Sequence, residues 1–346
     1  MKVMHLLQSN RFSGAENVVC QIISMCKDEN IEFVYCSQNG QIKEALDERK
    51  IKYNLTKDFS ISEIRRVIKE ENPDIIHAHD MKASFYAALC CGKIPLISHV
   101  HNNNYDSRGF SLKSILYYLA GKKAKHIFWV SKSSYNGYKF HEAFKDKSTV
   151  LYNIIDIEAL KKKALLDVKV YDYEVVYLGR LTEQKNPKRL LKVFEKITER
   201  RPETKIVMIG TGEMENKIKE LLMSNKKLSN IKFLGFNSNP YKILANSKVM
   251  IMTSRWEGTP MCALEALSMG VPIVSTPTDG LVDLIDSGEN GYLSDDDEKL
   301  AEKICDILTN KELYKKLSEN AKVKMKRMMD IQKYKTAILK QYRILE

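Results

Sequence analysis

The sequence predicts an α/β protein with two domains, each built on a doubly wound parallel sheet. Short apolar runs alternate with amphipathic stretches along the chain, and this alternation is typical of parallel strands covered by helices. The chain has 346 residues, which is more than one hydrophobic core usually supports, so two domains are expected. A polar stretch at 159–172, which contains Lys161-Lys162-Lys163, interrupts the alternation and predicts the linker.

Ten apolar runs are predicted to be strands, with five on each side of the linker. The predicted strands are residues 2–7, 31–36, 75–78, 94–100, 126–130, 175–178, 205–209, 231–234, 249–253 and 273–275. Apolar residues at helical spacing predict helices between them, which include residues 16–26, 61–71, 187–198 and 214–223. The acidic run Asp295-Asp296-Asp297-Glu298 is interpreted as the cap of a further helix and not as a metal site.

The charge of the chain is strongly positive and unevenly distributed. The net charge is +12, and residues 105–150 carry nine lysines and arginines against three carboxylates. A basic surface can bind nucleic acid, anionic lipid or an anionic substrate. The sequence has no zinc-finger spacing, basic-zipper heptad or aromatic RNA-binding signature, which argues against nucleic acid as the partner.

Cysteine usage and the apolar runs indicate a cytoplasmic protein. The seven cysteines include no C-x-x-C pair and no disulfide framework, which is typical of free thiols in a reducing compartment. No apolar run approaches the roughly 18 residues that a membrane span needs. The N-terminus becomes polar too soon for a signal peptide and is interpreted as the first strand.

The most informative segment is 255–266, Arg-Trp-Glu-Gly-Thr-Pro-Met-Cys-Ala-Leu-Glu-Ala. Glu257 and Gly258 follow an apolar strand, and Pro260 suits the first turn of a helix, where a missing N–H costs nothing. The free N–H groups at such a helix start attract phosphate. Glu257 in the loop and Glu265 about a turn into the helix can accept hydrogen bonds from sugar hydroxyls. The segment therefore predicts a site for a ligand that carries both phosphates and sugars.

This segment resembles the donor-site signature of retaining glycosyltransferases with the GT-B fold, the family-four group. Six further segments resemble motifs of the same family in the family's order, namely 12–16 (FSGAE), 76–80 (IHAHD), 130–132 (VSK), 152–156 (YNIID), 178–187 (LGRLTEQKNP) and 209–213 (IGTGE). Ser13 replaces the family's first glycine, and Ile154 stands where glycine commonly follows the asparagine. These two departures concern loop geometry and remove no charged contact.

The resemblance implies two Rossmann-like domains that face each other across a cleft. It implies an N-terminal, acceptor-side domain of residues 1–165 and a nucleotide-sugar donor domain of residues 166–330. A last helix, at about 331–346, is expected to cross back to the first domain. The two domains are expected to close on the donor and exclude water that would otherwise hydrolyse it.

The resemblance assigns most of the candidate site to the second domain. Arg180 and Lys185 are two fixed cations that would stabilise the negative charge developing on the leaving diphosphate. Glu257 is implied to accept hydrogen bonds from the donor sugar, and Glu265 from the ribose. The backbone at Gly258, Thr259, Pro260 and Met261 is implied to hold sugar and phosphate.

Four further residues are assigned with an alternative left open. The resemblance implies that Gly210 and Phe236 lie in loops that line the nucleotide base, although a Gly-x-Gly alone is a weak signal. Gly14 is implied to cover the diphosphate, and a simple tight turn is the alternative. His101 follows a strand end on the same face as His99 and is implied to lie near the donor sugar and the acceptor, whereas a lone histidine is usually structural.

No metal or cofactor is expected, and the nucleotide sugar is a co-substrate. A site built from His77, His79, His99 and His101 is not expected to bind metal, because no carboxylate or cysteine completes it. No serine or cysteine has the surroundings of an activated nucleophile. No carboxylate of the first domain matches an inverting base, which favours retention of configuration.

The stretch 110–127 combines apolar and aromatic residues with Lys122, Lys123 and Lys125. One interpretation is a contact with an anionic membrane, and the other is a core-packing helix with a solvated basic end. Lipid-linked acceptors are common among the resembling bacterial enzymes, which favours the membrane.

The sequence thus predicts a metal-independent hexosyltransferase that moves a sugar from a UDP-linked hexose or N-acetylhexosamine to a growing, lipid-linked glycan. Capsule, exopolysaccharide or lipopolysaccharide assembly is the expected setting, in the cytoplasm or on the inner face of the cell membrane. The alternatives are another GT-B enzyme such as a UDP-sugar 2-epimerase, or a non-catalytic protein that binds nucleotide sugars or a membrane surface.

Overall fold

The computed structural model describes residues 1–102 and 105–346. Within them the chain forms two compact units. Unit 1 consists of Met1–Asn153 and Ile331–Glu346, and unit 2 consists of Ile154–Asp330.

Unit 1 is built on a six-stranded parallel sheet with the strand order β2-β1-β3-β4-β5-β6. The strands are β1 (Lys2–Leu6), β2 (Glu32–Cys36), β3 (Ile75–His79), β4 (Leu96–Val100), β5 (His126–Trp129) and β6 (Ser148–Val150). The helices of this part of the chain are α1 (Gly14–Met25), α2 (Ile42–Glu48), α3 (Ile61–Glu71), α4 (Asp80–Cys90), α5 (Leu112–Lys123) and α6 (Lys132–Gly137). Short 3-10 helices cover Tyr105–Ser107 and His141–Lys147.

Unit 2 repeats this architecture with the strand order β12-β11-β10-β7-β8-β9. The strands are β7 (Val175–Leu178), β8 (Ile206–Ile209), β9 (Ile231–Gly235), β10 (Val249–Met252), β11 (Ile273–Ser275) and β12 (Gly291–Leu293). The helices are α7 (Ile157–Leu166), α8 (Pro187–Arg200), α9 (Glu215–Ser224), α10 (Tyr241–Asn246), α11 (Met261–Ser268), α12 (Asp279–Leu284), α13 (Asp297–Thr309) and α14 (Lys311–Met328), with a 3-10 turn at Lys226–Leu228. The last helix, α15 (Ile331–Leu345), belongs to unit 1.

Alternating strand residues fill separate apolar clusters on the two faces of the unit 2 sheet. Val175 and Tyr177 of β7 face one cluster, whereas Val176 between them faces the other. Helices α8 and α13 supply the first cluster, and α11 and α12 supply the second. The inner strands β7, β8 and β10 are apolar on both faces because helices cover both, as in other parallel sheets.

The structure corrects two details of the sequence prediction and confirms a third. Each sheet has a sixth strand that the apolar runs did not predict. Strands β6 and β12 are only three residues long, which is too short to form a recognisable apolar run. The units divide at Asn153/Ile154 and not near residue 165, because α7 packs against α10 and α11 of unit 2. The acidic run caps a helix as predicted, since the side chain of Asp296 accepts a hydrogen bond from the Glu298 N–H at the start of α13.

Candidate functional site

A buried ion pair lies at the carboxyl ends of β7 and β10, which are neighbouring parallel strands. Lys185 Nζ donates to Glu257 Oε1 at 2.6 Å, and the two side chains are only 11% and 5% exposed. Ser254 Oγ donates to the same carboxylate oxygen at 2.5 Å. The structure thus brings together two predicted site residues that are far apart in sequence.

The charge of Lys185 is maintained by its partner. Burial opposes the charged form, but the nearby Glu257 carboxylate outweighs burial, and the pKa of Lys185 is raised. The Arg180 guanidinium acts weakly in the opposite direction on this pKa, which shows that the second predicted cation is a neighbour. Arg180 itself is exposed. The pair keeps a positive charge fixed at the sheet edge, and the loss of either partner would leave the other charge buried and uncompensated.

Hydrogen bonds hold the two loops that carry this pair. The Arg255 N–H donates to the Gln184 carbonyl at 2.8 Å, and Gln184 Nε2 donates to the Trp256 carbonyl at 3.0 Å. Thr253 Oγ1 donates to the carbonyl of Asn186 at 3.1 Å, at the start of α8. These contacts fix the separation of Lys185 and Glu257 before any ligand binds.

The start of α11 corrects one local prediction. Pro260 is the N-cap residue, and the helix begins at Met261, so the proline precedes the first turn. The Ala263 and Leu264 N–H groups donate to the Pro260 carbonyl at 3.0 and 3.3 Å, so the N–H groups without an intrahelical partner at this N-terminus are those of Met261 and Cys262. Gly280 lies directly against this loop, since a Cβ there would be 1.3 Å from the Gly258 carbonyl oxygen. The close approach of two backbones holds 258–260 in place and requires glycine at position 280.

Glu265 lies within α11 and is 9% exposed. Burial raises its pKa to about 7, and a hydrogen bond from the Tyr241 hydroxyl and the charge of Lys163 partly offset this effect. The Tyr241 hydroxyl lies 3.3 Å from Glu265 Oε1, so this contact is long. A carboxylate in this state gains from any ligand that donates hydrogen bonds to it.

Gly210 and Phe236 lie in the loops after β8 and β9. Gly210 has φ of +140°, and a Cβ there would lie 1.9 Å from the carbonyl oxygen of Gly179. Glycine is therefore required at 210 by contact between two loops, whatever else it does. Phe236 is 75% exposed and follows Gly235, which has φ of +70°. The assignment of both positions to the nucleotide base stays a prediction.

Besides His126 of β5, unit 1 buries a group of five histidines on one face of its sheet. They lie on β1, β3 and β4 or just after β4, and they are His5, His77, His79, His99 and His101. The strand order β1-β3-β4 makes them neighbours, because His5 is the register partner of His77, and His79 that of His99. The residues between them turn to the apolar cluster on the opposite face, as strand alternation requires.

Three of these rings form a hydrogen-bonded chain. His5 Nδ1 lies 2.9 Å from His79 Nε2, and His79 Nδ1 lies 2.8 Å from His101 Nε2. The ends of this chain, His5 Nε2 and His101 Nδ1, are buried and have no hydrogen-bond partner among residues 1–102 and 105–346. A fourth ring, His77, pairs its Nδ1 with the Tyr342 hydroxyl of α15 at 2.7 Å.

Burial keeps these imidazoles neutral. It lowers the pKa of His5 and of His101 to about 3. It also lowers the pKa values of the other three rings well below the usual value, and neighbouring histidines add to the effect. At neutral pH each ring therefore carries one N–H and one bare nitrogen, so it can donate one hydrogen bond and accept one.

Two triplets of these rings bring one nitrogen per ring within 4.8 Å of one another, namely His5/His77/His79 and His79/His99/His101. Three imidazoles suffice for some catalytic zinc sites, so the lack of a further carboxylate does not by itself exclude a metal. The expectation that no metal binds these histidines stays a prediction.

Asp80 holds the segment that carries His101. Its Oδ1 accepts a hydrogen bond from the His101 backbone N–H at 2.8 Å, and burial raises its pKa to about 7. Asp80 has φ of +69°, a strained value for a residue with a side chain, and such strain clusters at functional sites. Asp80 and His79 also line a cavity of about 290 Å³, together with Glu16 and Lys82.

Gly14 is the first residue of α1, slightly earlier than the predicted start, and it is exposed. Ser13 is the N-cap residue, and its Oγ donates to Glu16 Oε2 at 2.5 Å. The assigned role of Gly14 at the diphosphate, with a simple tight turn as the alternative, stays a prediction.

Sequence reasoning missed His5, Asp80, Ser254 and Tyr241. The sequence places His5 in an apolar strand, and its alternation with Met4 and Leu6 is the signal that it lies on the other face. Asp80 directly follows the end of a strand, and ligands of open parallel sheets bind at the carboxyl ends of the strands. Nothing in the sequence indicated the contacts of Ser254 and Tyr241, which depend on neighbouring loops.

Helix α5 has features of both interpretations of the stretch 110–127. One side of it packs into unit 1 through Tyr117 and Ala120, which are buried. Large apolar residues are exposed on its other side and just before it, namely Leu112 (72%), Ile115 (46%) and Leu119 (53%) on the helix and Phe110 (77%) ahead of it. Lys139 Nζ lies 4.7 Å from the ring centre of Phe110, and Lys122 Nζ lies 5.0 Å from that of Tyr118. Among the described residues, no helix is long and apolar enough to cross a membrane.

Two family models match the chain in succession. Residues 12–159 match the model of Glycosyltransferase Family 4, and residues 157–324 match the model of Glycosyl transferases group 1. The two matches extend over most of unit 1 and most of unit 2 respectively.

Two relatives and one solved structure extend this comparison. An uncharacterized glycosyltransferase of Methanocaldococcus jannaschii is 30% identical over 62% of this chain, and the chain spans only 58% of that relative's length. A UDP-Gal:alpha-D-GlcNAc-diphosphoundecaprenol alpha-1,3-galactosyltransferase of Escherichia coli is 25% identical over 85% of this chain and 84% of its own length. The Anabaena protein HepE, solved in complex with UDP-glucose, shares the fold with a TM-score of 0.86 over 99% of each chain at 20% identity. The predicted GT-B fold class is thereby confirmed, and the chain is similar to glycosyltransferases along both units.

Proposed function

We propose that this protein is a retaining glycosyltransferase that takes its sugar from a UDP-linked hexose or N-acetylhexosamine bound by unit 2. The observation that carries the proposal is the buried Lys185–Glu257 pair beside Arg180 and the start of α11. This edge of the sheet combines fixed positive charge, free helix N–H groups and two buried carboxylates, which suits a ligand with phosphates and sugar hydroxyls. The UDP-glucose complex of HepE supports the choice of donor class.

Each residue of this edge has a distinct role in the proposal. Lys185 and Arg180 stabilise the charge that develops on the diphosphate as the sugar–phosphate bond breaks. Glu257 accepts hydrogen bonds from the donor sugar, and Glu265 accepts them from the ribose. Gly258, Thr259, Pro260 and Met261 contribute the backbone that cradles sugar and phosphate, while Gly210 and Phe236 line the base.

The proposed reaction retains the configuration at the anomeric carbon without a metal. The bond from that carbon to the leaving phosphate oxygen breaks, and the acceptor oxygen attacks from the same face. The proton of the acceptor hydroxyl passes to the leaving phosphate, so the products are the glycosylated acceptor and the nucleoside diphosphate. Unit 1 is assigned to the acceptor, with His101 near the reacting sugar and Gly14 at the diphosphate.

The acceptor is proposed to be a lipid-linked glycan at the inner face of the cell membrane, in surface polysaccharide assembly. The exposed apolar side of α5 with Lys122, Lys123 and Lys125 supports this assignment, because apolar residues flanked by lysines suit an anionic bilayer surface. The E. coli relative, whose name specifies a diphosphoundecaprenol acceptor, supports it independently.

The first test is thermal unfolding with UDP, GDP, ADP and their sugars, since a ligand of the native state raises the melting temperature by mass action. The sugar nucleotide with the largest shift is then incubated with a lipid diphosphate sugar in the presence of a chelator. NMR of the product gives the new linkage, and an α-linkage from an α-linked donor is expected. Conversion of the donor to its 2-epimer without transfer, or no shift with any nucleotide, would overturn the proposal.

A further inference from the structure

We infer that His5 and His79 are positioning residues that lock His101 in one tautomer, with its Nδ1 presenting a hydrogen-bond donor. The use of that donor toward a substrate oxygen rests on the function proposed above. The tautomer itself does not, because it follows from hydrogen bonds within unit 1. The tautomer of His101 is therefore measurable in the protein without substrate.

The chain of three rings allows only two arrangements of protons. Each ring is neutral and shares one nitrogen or both with a neighbour. In the first arrangement His5 Nδ1 donates to His79, and His79 Nδ1 donates to His101, so that all three rings carry their proton on Nδ1. In the second arrangement every bond is reversed, and all three rings carry their proton on Nε2. The middle ring, His79, cannot donate at both nitrogens while it is neutral.

The ends of the chain decide between these arrangements. The first arrangement leaves a free N–H at His101 Nδ1 and a bare lone pair at His5 Nε2, and the second leaves the reverse. An orphaned N–H in a protein core is rarer than an under-satisfied acceptor. His5 lies within β1 and is 0% exposed, whereas His101 follows β4 and is 9% exposed. The free N–H is therefore expected at His101, where a ligand oxygen or water can accept from it.

The surroundings keep the three hydrogen-bonded imidazoles neutral and fixed in place. The charged or titratable neighbours are Asp80 of α4, Glu16 of α1, Tyr342 of α15 and the histidines at 77, 99 and 126. Asp80 accepts from the backbone N–H of His101, so it holds the residue without occupying the ring nitrogens. The rings of His99 and His101 stack with centres 4.3 Å apart, which fixes the plane of the His101 ring.

The consequence for the proposed reaction is a neutral donor in place of a cation. A neutral imidazole whose N–H is aimed by its other nitrogen orients a substrate oxygen without a change of charge. His5 and His79 act only through His101, and neither requires contact with the substrate.

The test is nitrogen-15 NMR of the imidazole rings in the full-length protein without ligand at neutral pH. The expected spectrum shows His101 protonated on Nδ1 and bare on Nε2. His5→Leu removes the first donor and should move the His101 proton at least partly to Nε2. His5→Asn places an amide N–H near the former Nδ1 and should restore the original tautomer. His77→Leu is the matched control. The His77 ring is as buried as that of His5 and is in register with it, but it lies outside the hydrogen-bonded chain of three rings.

Turnover supplies the second readout. His5→Leu is expected to lower kcat about tenfold with the KM for the donor nearly unchanged, and His5→Asn to recover most of it. His101 protonated on Nε2 in the wild type, or a tautomer unaffected by His5→Leu, would overturn the inference. A stoichiometric metal ion at the histidines, found by elemental analysis, would also overturn it, since the lone pairs would then be occupied. An inactive wild type with the expected tautomers would count against the proposed function alone.

Discussion

The two units bury polar groups in opposite ways. Unit 2 buries a charged pair, Lys185 with Glu257, and contains no histidine, since all seven histidines of the sequence lie before residue 153. Unit 1 buries neutral imidazoles that share protons with one another. A buried charge is tolerated only beside its counterion, whereas a neutral ring needs only a donor and an acceptor. Under the proposed function, the phosphate site of unit 2 uses permanent charge, whereas unit 1 orients hydroxyls with neutral rings.

The largest expected effect comes from breaking the charged pair of unit 2. Lys185→Ala should lower kcat by about 10² to 10³, because a fixed cation at the leaving diphosphate is lost. The same change should lower the free energy of unfolding by about 3 kcal/mol, because Glu257 is left buried without its partner. Steady-state kinetics and urea denaturation measure the two effects separately.

A control and a double variant sharpen this prediction. Lys188→Ala removes a nearby lysine whose side chain is 45% exposed, and it should change neither quantity appreciably. Adding Glu257→Gln to Lys185→Ala should recover stability, because the uncompensated charge is gone, while turnover stays low. Full turnover in Lys185→Ala would refute the assigned phosphate role.

The next effect concerns the surface of α5 in unit 1. Changing Lys122, Lys123 and Lys125 to Glu should weaken binding to vesicles that contain anionic lipid by about a hundredfold or more, since each lysine near such a surface contributes about 1 kcal/mol. Vesicle sedimentation measures the change. The matched control reverses three exposed lysines of α14 in unit 2, Lys311, Lys315 and Lys326, with the same change in net charge. Equal losses of vesicle binding in both triple variants would mean that binding is a nonspecific attraction of positive charge to the membrane.

A smaller effect tests whether Glu265 is the ligand of a nucleotide. Its pKa is raised to about 7, so the fraction of the carboxylate able to accept hydrogen bonds falls as the pH falls below that value. Affinity for UDP should therefore decrease from pH 8 to pH 6, and Glu265→Gln should reduce affinity about tenfold and remove most of this pH dependence. Isothermal titration calorimetry measures both. Glu183→Gln, which changes an exposed carboxylate in the same unit, should behave like the wild type.

The last effect is a difference in sign between the units when the free energy of unfolding is measured against pH. Unfolded histidines titrate near pH 6.5, but burial lowers the pKa of His5 and His101 to about 3 and that of His126 to about 4. Unit 1 should therefore lose stability as the pH falls below 6.5, by about 1.4 kcal/mol per pH unit for each net proton taken up on unfolding. Asp80 acts in the opposite direction on the stability of unit 1, because burial raises its pKa, but it is a single group. Unit 2 should gain stability between pH 7 and 4.5, because folded Glu265 binds its proton more tightly than the unfolded chain does.

The two tryptophans allow each unit to be followed separately. Trp129 lies in unit 1 and Trp256 in unit 2, and the sequence has no other. Trp256→Phe leaves a fluorescence probe of unit 1 alone, and Trp129→Phe leaves one of unit 2. Denaturation curves of the two variants at pH 7 and pH 5 that shift in the same direction would contradict the contrast between charged and neutral burial.

Most residues of the candidate donor site in unit 2 could be predicted from sequence, because they lie in contiguous motifs. Lys185 lies in the loop of one motif, and Glu257 and Glu265 in another, so local pattern was sufficient to nominate them. Their pairing was not predictable in the same way, since Lys185 and Glu257 are 72 residues apart and meet only because β7 and β10 are neighbours. For the same reason β6 and β12 were missed, as three-residue edge strands depend on a sheet already present.

The sequence alone specified most of the strands and helices and the face on which their side chains lie. Apolar periodicity depends on local backbone geometry, so it predicted the strands, the main helices and the common face of His99 and His101. Only the tertiary structure decided which strands are neighbours. The order β1-β3-β4 brings His5 against His79 and His79 against His101, and the order β10-β7 brings Glu257 against Lys185. These contacts depend on the order of strands in the sheet, which no local pattern of residues specifies.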